Sequence, residues 1–371
     1  MQYILQIFTG GWKNATHSKE KIIERLEDVT QMLPVSKVII GWHIDPALYK
    51  EVGAFLSGKG IDMLLWLPVF SEIGELLEAA ECTDLWGKPV SSLALQEGEN
   101  FVFYCPSSPK NLQNVKDVYE RFFGDCGFNG VFLDKIRTQS FVGGVRGVLS
   151  CGCDRCADIY SRSGLSLETV RKEYASSGDR FFTPDGYQPG QGFRFKNPVA
   201  NAFFKEKGEL IASSVTDLCN YFKEKNMQVG LDLYAPLMSG FVGQNYEKIS
   251  ACADFIKPML YRRTEAPAGI GYEYRLMRES IPDAEGFEDI RIDRAFLREQ
   301  IEAFRDLPCE KYPGIEINYR EDIARTDASY VRESMEVLRE AGLNGATLSW
   351  DVMLAPDAHL AAIWECRADY Y

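Results

Sequence analysis

The sequence predicts an α/β protein of the (β/α)8 barrel class. Eight short runs of apolar and β-branched residues occur along the chain, and most are followed by a helix-like run. A length of 371 residues with 46% hydrophobic residues is ample for one large core. No Gly-x-Gly-x-x-Gly motif follows an early strand, so a dinucleotide-binding fold has no support. We expect one barrel domain over residues 1–371, with insertions at about 138–200 and 262–291.

The eight predicted strands are apolar enough to be buried on both faces, as parallel barrel strands are. They cover residues 3–8, 37–42, 63–67, 130–133, 228–233, 255–260, 314–318 and 346–350. Helical patterns cover 19–33, 46–56, 112–123, 198–225, 246–253, 292–304, 328–341 and 359–367. A further apolar run covers 101–104, and the glycine-rich residues 143–147 are interpreted as a flexible loop.

Composition and charge narrow the possible partners. The net charge of −13 disfavours nucleic acid and anionic membranes. No window approaches the roughly 20 apolar residues of a membrane helix, and the N-terminus lacks the features of a secretory signal. Ten cysteines, several of them in helical or strand patterns, are typical of reduced thiols in a cytoplasmic protein. Whether the chain forms a homo-oligomer is left open.

Polar and aromatic residues cluster at the carboxyl ends of the predicted strands, where barrel enzymes place their active sites. In strand order they are Trp42, His43, Trp66, Asp134, Arg137, Asp232, Tyr234, Lys257, Tyr261, Glu316, Asn318, Trp350 and Asp351. Period-two alternation puts Asp232 and Tyr234 on one face of the fifth strand. A structural alternative for any one acid is a buried ion pair, and Lys257 is a candidate partner of Asp232.

Several carboxylates converging on one rim, with tryptophans as stacking platforms, predict the hydrolysis of glycosidic bonds. That reaction needs two carboxyl groups and neither a metal nor a catalytic histidine. Only three histidines occur, which disfavours a binuclear metallohydrolase, and no Gly-x-Ser-x-Gly elbow is present. We therefore expect a glycosidase that acts on a small oligosaccharide or glycoside, with the residues above contacting the sugar.

A second signal is the motif Cys151-x-Cys153-x-x-Cys156. Three thiols this close together are unsuited to ordinary disulfides but suit a tetrahedral zinc ion. A fourth ligand is required, and Cys105 is the best candidate, with Cys126 and Cys82 as alternatives. The sequence thus predicts a structural zinc and no catalytic cofactor.

An acid that ends a strand, followed by this cysteine triplet and preceded by a cysteine about forty residues upstream, resembles family 42 glycoside hydrolases, the clan A β-galactosidases. The resemblance implies zinc ligation by Cys105 together with the triplet. It also implies that Glu316 is the strand-seven nucleophile and that Trp350 floors a sugar subsite. The chain departs from the family at strand four, where Leu133-Asp134 stands in place of Asn-Glu.

Two assignments of the catalytic acids follow. In the first, Glu316 is the nucleophile and Asp134 is the general acid/base; the enzyme is expected to retain configuration if their carboxyl groups lie about 5 Å apart and to invert it if they lie about 6.5–9.5 Å apart. In the second, Asp134 is the nucleophile, because neighbouring cations favour an ionised carboxylate, and Asp232 or Glu316 is the acid.

Three other possibilities stay open. Lys257, Arg262 and Arg263 hint at an anionic substrate such as a uronic acid, unless the arginines pair on the surface with Glu265 or Glu273. A catalytically inactive carbohydrate-binding barrel would keep the aromatic platforms and the zinc. A uronate lyase would use Lys257 or Tyr261 as its base.

Overall fold

Eight parallel strands form a closed ring in the computed structural model, which describes residues 1–90, 94–96, 99–100, 102–188, 192–343 and 345–368. The strands are β1 (Gln2–Phe8), β2 (Val35–Gly41), β3 (Asp62–Pro68), β4 (Gly130–Asp134), β5 (Gln228–Tyr234), β6 (Phe255–Met259), β7 (Gly314–Glu316) and β8 (Gly345–Ser349). Each strand pairs with the next, and β8 pairs with β1. The predicted (β/α)8 barrel is confirmed, and every predicted strand overlaps an observed one.

Helices surround the ring. The longer helices are Lys19–Met32, Pro46–Gly58, Pro109–Val118, Asp154–Arg162, Leu167–Ser177, Pro198–Glu224, Ile270–Ser280, Arg294–Glu302, Ala328–Glu340 and Asp357–Ala368. Several begin at side chains that cap free backbone N–H groups, for example Ser18, Asp45 and Asn197. No described helix is both long enough and apolar enough to pass through a membrane.

The segment after β4 is more ordered than the sequence suggests. Residues 143–147, predicted as a flexible loop, lie largely in a short helix, Gly144–Val148. A Cβ atom at Gly147 would stand 2.8 Å from both the Gln139 side chain and the Ser140 carbonyl oxygen. The glycine is there because the helix packs closely, so the loop prediction is wrong. Farther on, Pro184–Gln188 and Gly192–Phe195 form an antiparallel hairpin.

The registers of β4, β5 and β6 determine which side chains meet at the barrel mouth. Leu133 pairs with Leu231, so Asp134 and Asp232 occupy the next position on neighbouring strands. Asp232 in turn pairs with Lys257. Adjacent strands lie roughly 4.8 Å apart, so the three side chains are immediate neighbours.

A glycine on β7 makes room inside the ring. A Cβ atom at Gly314 would lie 2.6 Å from Lys257 Cε and 3.1 Å from Ser349 Oγ. The long side chain of Lys257 therefore occupies space that a larger residue on β7 would fill. Of the predicted apolar run 101–104, Phe101 lies outside the described residues, while Phe103 and Tyr104 form isolated bridges to the segment after β3.

Candidate active site

A cavity of about 600 Å³ opens at the carboxyl ends of the strands. Nine of the predicted site residues line it: Trp66, Asp134, Arg137, Asp232, Tyr234, Lys257, Tyr261, Trp350 and Asp351. Four others, Trp42, His43, Glu316 and Asn318, are not among the lining side chains. The barrel mouth thus brings together most of the residues that the strand-end pattern singled out.

Asp134 ends β4 and is held by two N–H donors. The indole Nε1 of Trp66 donates to its Oδ2 at 2.8 Å, and the backbone N–H of Lys135 donates to its Oδ1 at 2.5 Å. Lys135 has a left-handed backbone with φ of 51°, and its Nζ forms a buried ion pair with Glu72 Oε1 at 2.9 Å. Two donors aimed at one carboxyl group are the environment that an ionised carboxylate needs.

Asp232 lies beside Asp134 in a different environment. Its Oδ2 is 3.1 Å from Lys257 Nζ, so the ion pair considered from the sequence is present. Burial raises the pKa of Asp232 to about 7; Lys257 lowers it, and Asp134 raises it further. The side chain therefore holds a proton at a higher pH than an ordinary aspartate does.

Four buried polar atoms of cavity-lining residues have no hydrogen-bond partner in the described part of the chain. They are Asp232 Oδ1, Gln6 Nε2, Tyr261 Oη and Thr264 Oγ1. Buried polar groups are nearly always hydrogen-bonded, and an unmet group costs about 1–3 kcal/mol. These atoms are available to hydrogen-bond a polar group inside the cavity.

A histidine faces the last strand end. His17, from the segment after β1, places its Nε2 3.7 Å from Asp351 Oδ2, and both residues line the cavity. Burial raises the pKa of Asp351, an effect that His17 opposes. His17 was not predicted as a site residue, because the short connection after β1 carries no motif.

Glu316 is completely buried outside the cavity lining. Its carboxylate accepts hydrogen bonds from the backbone N–H groups of Arg262 and Arg263. Burial raises its pKa to about 7, against the effect of these N–H donors. The geometry speaks against its predicted role as nucleophile, because its oxygens hold the chain that follows β6.

Trp42 and His43 lie beneath and beside the cavity. Trp42 is buried among Phe8, Trp12 and Trp66, with ring centroids 5.1–6.5 Å away. His43 is half-buried, and its Nδ1 lies 3.3 Å from a backbone carbonyl oxygen. Neither side chain lines the cavity as predicted, because Trp42 packs within this aromatic cluster and His43 lies against the backbone of Gly11.

Asn318 supports the site from behind. Its Oδ1 accepts from the backbone N–H groups of Trp350 at 2.7 Å and Asp351 at 3.1 Å. Its Nδ2 donates to the carbonyl oxygen of Asp351 at 2.7 Å. This clamp fixes the segment after β8, so Asn318 positions cavity residues without lining the cavity.

The two arginines after β6 contact other residues of the protein. Arg262 pairs with Glu333 at 2.8 Å, and its guanidinium lies 4.7 Å from the ring of Tyr330. Arg263 is exposed and packs on the same ring. The partners differ from those expected, Glu265 and Glu273, but the structural interpretation of these charges fits better than a substrate contact.

Four cysteines form a compact cluster next to the barrel. Cys105, Cys151, Cys153 and Cys156 place their sulfur atoms within 4.8 Å of one another. The Cys105 sulfur is 3.5 Å from that of Cys153 and 3.7 Å from that of Cys156. Tetrahedral zinc with Zn–S bonds of about 2.3 Å requires sulfur atoms roughly 3.8 Å apart, so these residues fit a metal ion. The predicted fourth residue is Cys105, and Cys82 and Cys126 lie outside the cluster.

Several lining residues were not anticipated. They include Gln6 and Phe8 on β1, His17, Thr264 and residues 266–268. Gln6 is a polar residue inside an otherwise apolar strand, a signal that would have identified it. The residues after β6 carry no such signal, because only the course of that loop brings them to the cavity.

Solved glycoside hydrolase structures share this barrel. The PgaB (BpsB) glycoside hydrolase domain from Bordetella bronchiseptica matches with a TM-score of 0.62 and 16% identity, covering 97% of each chain. The C-terminal domain of a putative chitinase from Desulfitobacterium hafniense DCB-2 matches with a TM-score of 0.52 and 12% identity, covering 98% of this chain and 97% of the other. No protein-family model matches the chain, and comparison with curated proteins gives no significant match. At these identities the likeness establishes a fold shared with glycoside hydrolases.

Proposed function

We propose that this protein is a retaining glycoside hydrolase that uses Asp134 and Asp232. The observation that carries the proposal is the register of β4 and β5, which places the two acids side by side on the cavity wall. Retaining enzymes hold their two carboxyl groups about 5–5.5 Å apart, a separation that neighbouring strands provide. The fold shared with glycoside hydrolases supports the same reaction class.

The environments of the two acids divide the roles. Asp134, with an N–H donor on each oxygen, is suited to act as the anionic nucleophile. Asp232, whose pKa burial raises to about 7, is suited to act as the proton donor. One carboxyl group held by N–H donors beside another that keeps its proton near neutral pH is an arrangement suited to acid/base catalysis.

The reaction follows in two steps. Asp134 attacks the anomeric carbon while Asp232 transfers its proton to the departing glycosidic oxygen, leaving a glycosyl ester on Asp134. Asp232, now a carboxylate, takes a proton from water, and the water oxygen displaces Asp134 from the sugar. The product keeps the anomeric configuration, and both acids return to their starting states.

Aromatic side chains and unmet polar groups support a sugar ligand. Trp350 and Trp66 offer ring faces of the kind on which sugar rings pack. Gln6 and Thr264 offer hydrogen-bonding atoms that the protein leaves unmet. A cavity with apolar faces and a few polar contacts is typical of small-ligand sites.

Separate substitutions Asp134→Asn and Asp232→Asn test the assignment on a panel of 4-methylumbelliferyl α- and β-glycosides. Each should lower kcat/KM by roughly 100- to 10,000-fold. Azide should restore turnover in both variants, giving a glycosyl azide of inverted configuration with Asp134→Asn and of retained configuration with Asp232→Asn.

Glu316→Gln is the matched control, since it alters an acid that is buried outside the cavity. It should keep wild-type kcat/KM per folded molecule, although its stability can change. A loss of turnover in Glu316→Gln equal to that in Asp134→Asn, with the fold intact by circular dichroism, would instead support Glu316 as the nucleophile. Sugar binding without turnover over the whole panel would instead favour a binding protein, and an unsaturated product absorbing near 230 nm would favour a lyase.

We further propose that the cysteine cluster binds a structural zinc ion through Cys105, Cys151, Cys153 and Cys156. Thiolate sulfur is the donor that zinc takes in closed, four-coordinate structural sites. The cluster joins the chain before helix Pro109–Val118 to the insertion after β4. Bound zinc would supply cohesion between these segments, and the reaction steps above need only carboxyl groups.

A further inference from the structure

We propose that the cavity selects a carboxylate-bearing sugar, a uronic acid residue, and that Arg137 is the group that binds its carboxylate. This inference rests on the proposed glycoside hydrolase function and names its substrate class. Arg137 lies three residues beyond Asp134 and lines the cavity, although only 5% of its surface is exposed.

The guanidinium of Arg137 is fixed by aromatic packing. It lies 4.6 Å from the ring centroid of Phe103 and 4.3 Å from that of Tyr234, both of which are buried. Its Nη1 donates to the carbonyl oxygen of Thr138 at 3.1 Å. A cation held between two rings keeps its plane and orientation, so little conformational freedom is left to lose on binding an anion.

Each of the other cations of the cavity wall contacts an acid of the protein. Lys135 pairs with Glu72 at 2.9 Å, Lys257 with Asp232 at 3.1 Å, and Arg320 with Asp322 at 2.7 Å. In the described part of the chain, no carboxylate oxygen lies within the 4.0 Å ion-pair distance of the Arg137 guanidinium nitrogens. Arg137 therefore brings an unpaired positive charge to the ligand site.

Two buried acids, Glu273 and Asp232, are engaged by other groups at one oxygen each, while their second oxygens have no hydrogen-bond partner among the described residues. Glu273 accepts three hydrogen bonds at one oxygen, from Tyr234 Oη at 2.8 Å, Ser140 Oγ at 3.1 Å and the backbone N–H of Ala268 at 3.1 Å. Asp232 is engaged by Lys257. Each of these acids partly offsets the positive charge of Arg137 without direct contact. The charge-assisted hydrogen bonds that the guanidinium can donate are therefore left for a ligand carboxylate.

A planar carboxylate is the anion that we favour. A guanidinium presents parallel N–H donors whose spacing matches the two oxygens of a carboxylate. Because Arg137 and Asp134 leave the same strand end three residues apart, the anion would lie within one sugar ring of the reacting bond. Sugar sulfates and phosphates share the negative charge, so the experiment includes them.

The experiment compares uronides with neutral glycosides. Initial rates are measured for 4-methylumbelliferyl glucuronides and galacturonides, in both anomers, against the corresponding glucosides, galactosides and 6-sulfated glycosides. The variants are Arg137→Met, which keeps a side chain between the two rings, and Arg137→Lys, which keeps the charge without the fork. Arg262→Met is the matched control, since Arg262 is also packed on an aromatic ring but lies outside the cavity lining.

We expect wild-type protein to prefer a uronide by at least roughly tenfold in kcat/KM. Arg137→Met should lower kcat/KM for the uronide by roughly 100-fold and change the neutral glycoside by less than about threefold. Arg137→Lys should give an intermediate value, and Arg262→Met should leave the ratio of the two substrates unchanged. A wild-type preference for neutral or sulfated glycosides, or an equal loss on both substrates in Arg137→Met, overturns the inference while the hydrolase proposal stands.

Binding measurements separate the two proposals if no glycoside is turned over. Calorimetric titration of the folded protein with glucuronate, glucose and glucose 6-sulfate then decides. Binding of glucuronate that is at least tenfold tighter than that of glucose, and that is lost in Arg137→Met, supports the carboxylate site although the hydrolase proposal fails. Equal or absent binding of glucuronate and glucose overturns the inference as well.

Discussion

The pKa of Asp232 sets the pH range in which the site can act as proposed. Burial raises it to about 7, so this side chain, as proton donor, is progressively lost above neutral pH. We expect kcat/KM to fall above about pH 7. In Asp232→Asn, assayed on an aryl glycoside whose leaving group needs no protonation, this alkaline decline should disappear. A decline that survives in Asp232→Asn would assign the titration to another group.

The same residues affect stability in a defined direction. A carboxyl group with a raised pKa binds more protons in the folded than in the unfolded state, so its contribution is present at low pH and is lost as pH rises through the folded pKa. Burial raises the pKa values of Asp232 and Glu316 to about 7, from ordinary values of 3.8 and 4.5. The free energy of unfolding in urea should therefore decrease between about pH 4.5 and 7.5. The double variant Asp232→Asn, Glu316→Gln should flatten this dependence, and an unchanged slope would contradict it.

The sequence predicted the positions of single residues only through the period-two alternation of side chains along a strand. Period two correctly placed Asp232 and Tyr234 on the inner face of β5, and Lys257 and Tyr261 at the cavity. It cannot give the depth of a residue along a tilted strand. Glu316 was expected at the rim for this reason, although its position on the short strand β7 leaves it under the chain that follows β6.

At the scale of elements, the segment after β8 depends on one amide side chain. Replacing Asn318 by alanine leaves the buried N–H groups of Trp350 and Asp351 without their acceptor. Asn318→Ala should lower the free energy of unfolding by about 2 kcal/mol. The substitution should also make the position of Trp350 less fixed. KM for the preferred glycoside should therefore rise several-fold while kcat changes less.

Asn201 offers a matched control for that experiment. Its side chain makes the same kind of clamp, accepting from the Phe195 N–H at 2.7 Å and donating to the Phe195 carbonyl oxygen at 2.6 Å, in the hairpin outside the cavity lining. Asn201→Ala should cost similar stability and leave KM unchanged. Equal KM values in the two variants would remove the positioning role of Asn318.

The strands and most of the helices were predictable from local patterns, and apolar runs with turn residues between them predicted all eight strands. The helices Asp154–Arg162, Leu167–Ser177 and Ile270–Ser280, which lie within the predicted insertions, were not predicted. The short helix Gly144–Val148 was also missed, because residues 143–147 contain three glycines, which disfavour a helix; it packs closely against Gln139 and Ser140.

For the whole molecule, the cysteine cluster joins two insertions that the ring of strands leaves separate. Purified protein should contain one zinc ion per chain, measured by elemental analysis. Cys153→Ser should lower that stoichiometry well below one and lower Tm by several degrees, since structural zinc contributes to folding. Cys366→Ser, which alters a cysteine outside the cluster, should keep the full zinc content.

Removing the metal should also weaken substrate binding. Phe103, which packs on Arg137, lies two residues before Cys105. Mild chelation should therefore raise KM for the preferred uronide more than for a neutral glycoside. A zinc-free protein with unchanged Tm and unchanged KM for both substrates would make the cluster an inert group of thiols.

Gly314 has no β-carbon, and the space this leaves determines where Lys257 lies relative to Asp232. One added methyl group would overlap Lys257 Cε at 2.6 Å, so alanine at this position would force the ammonium group to shift relative to Asp232. Because the position of Lys257 affects the pKa of Asp232, the pH above which kcat/KM declines should change in Gly314→Ala. A lineage adapting to a different acidity would have a one-codon route through this position.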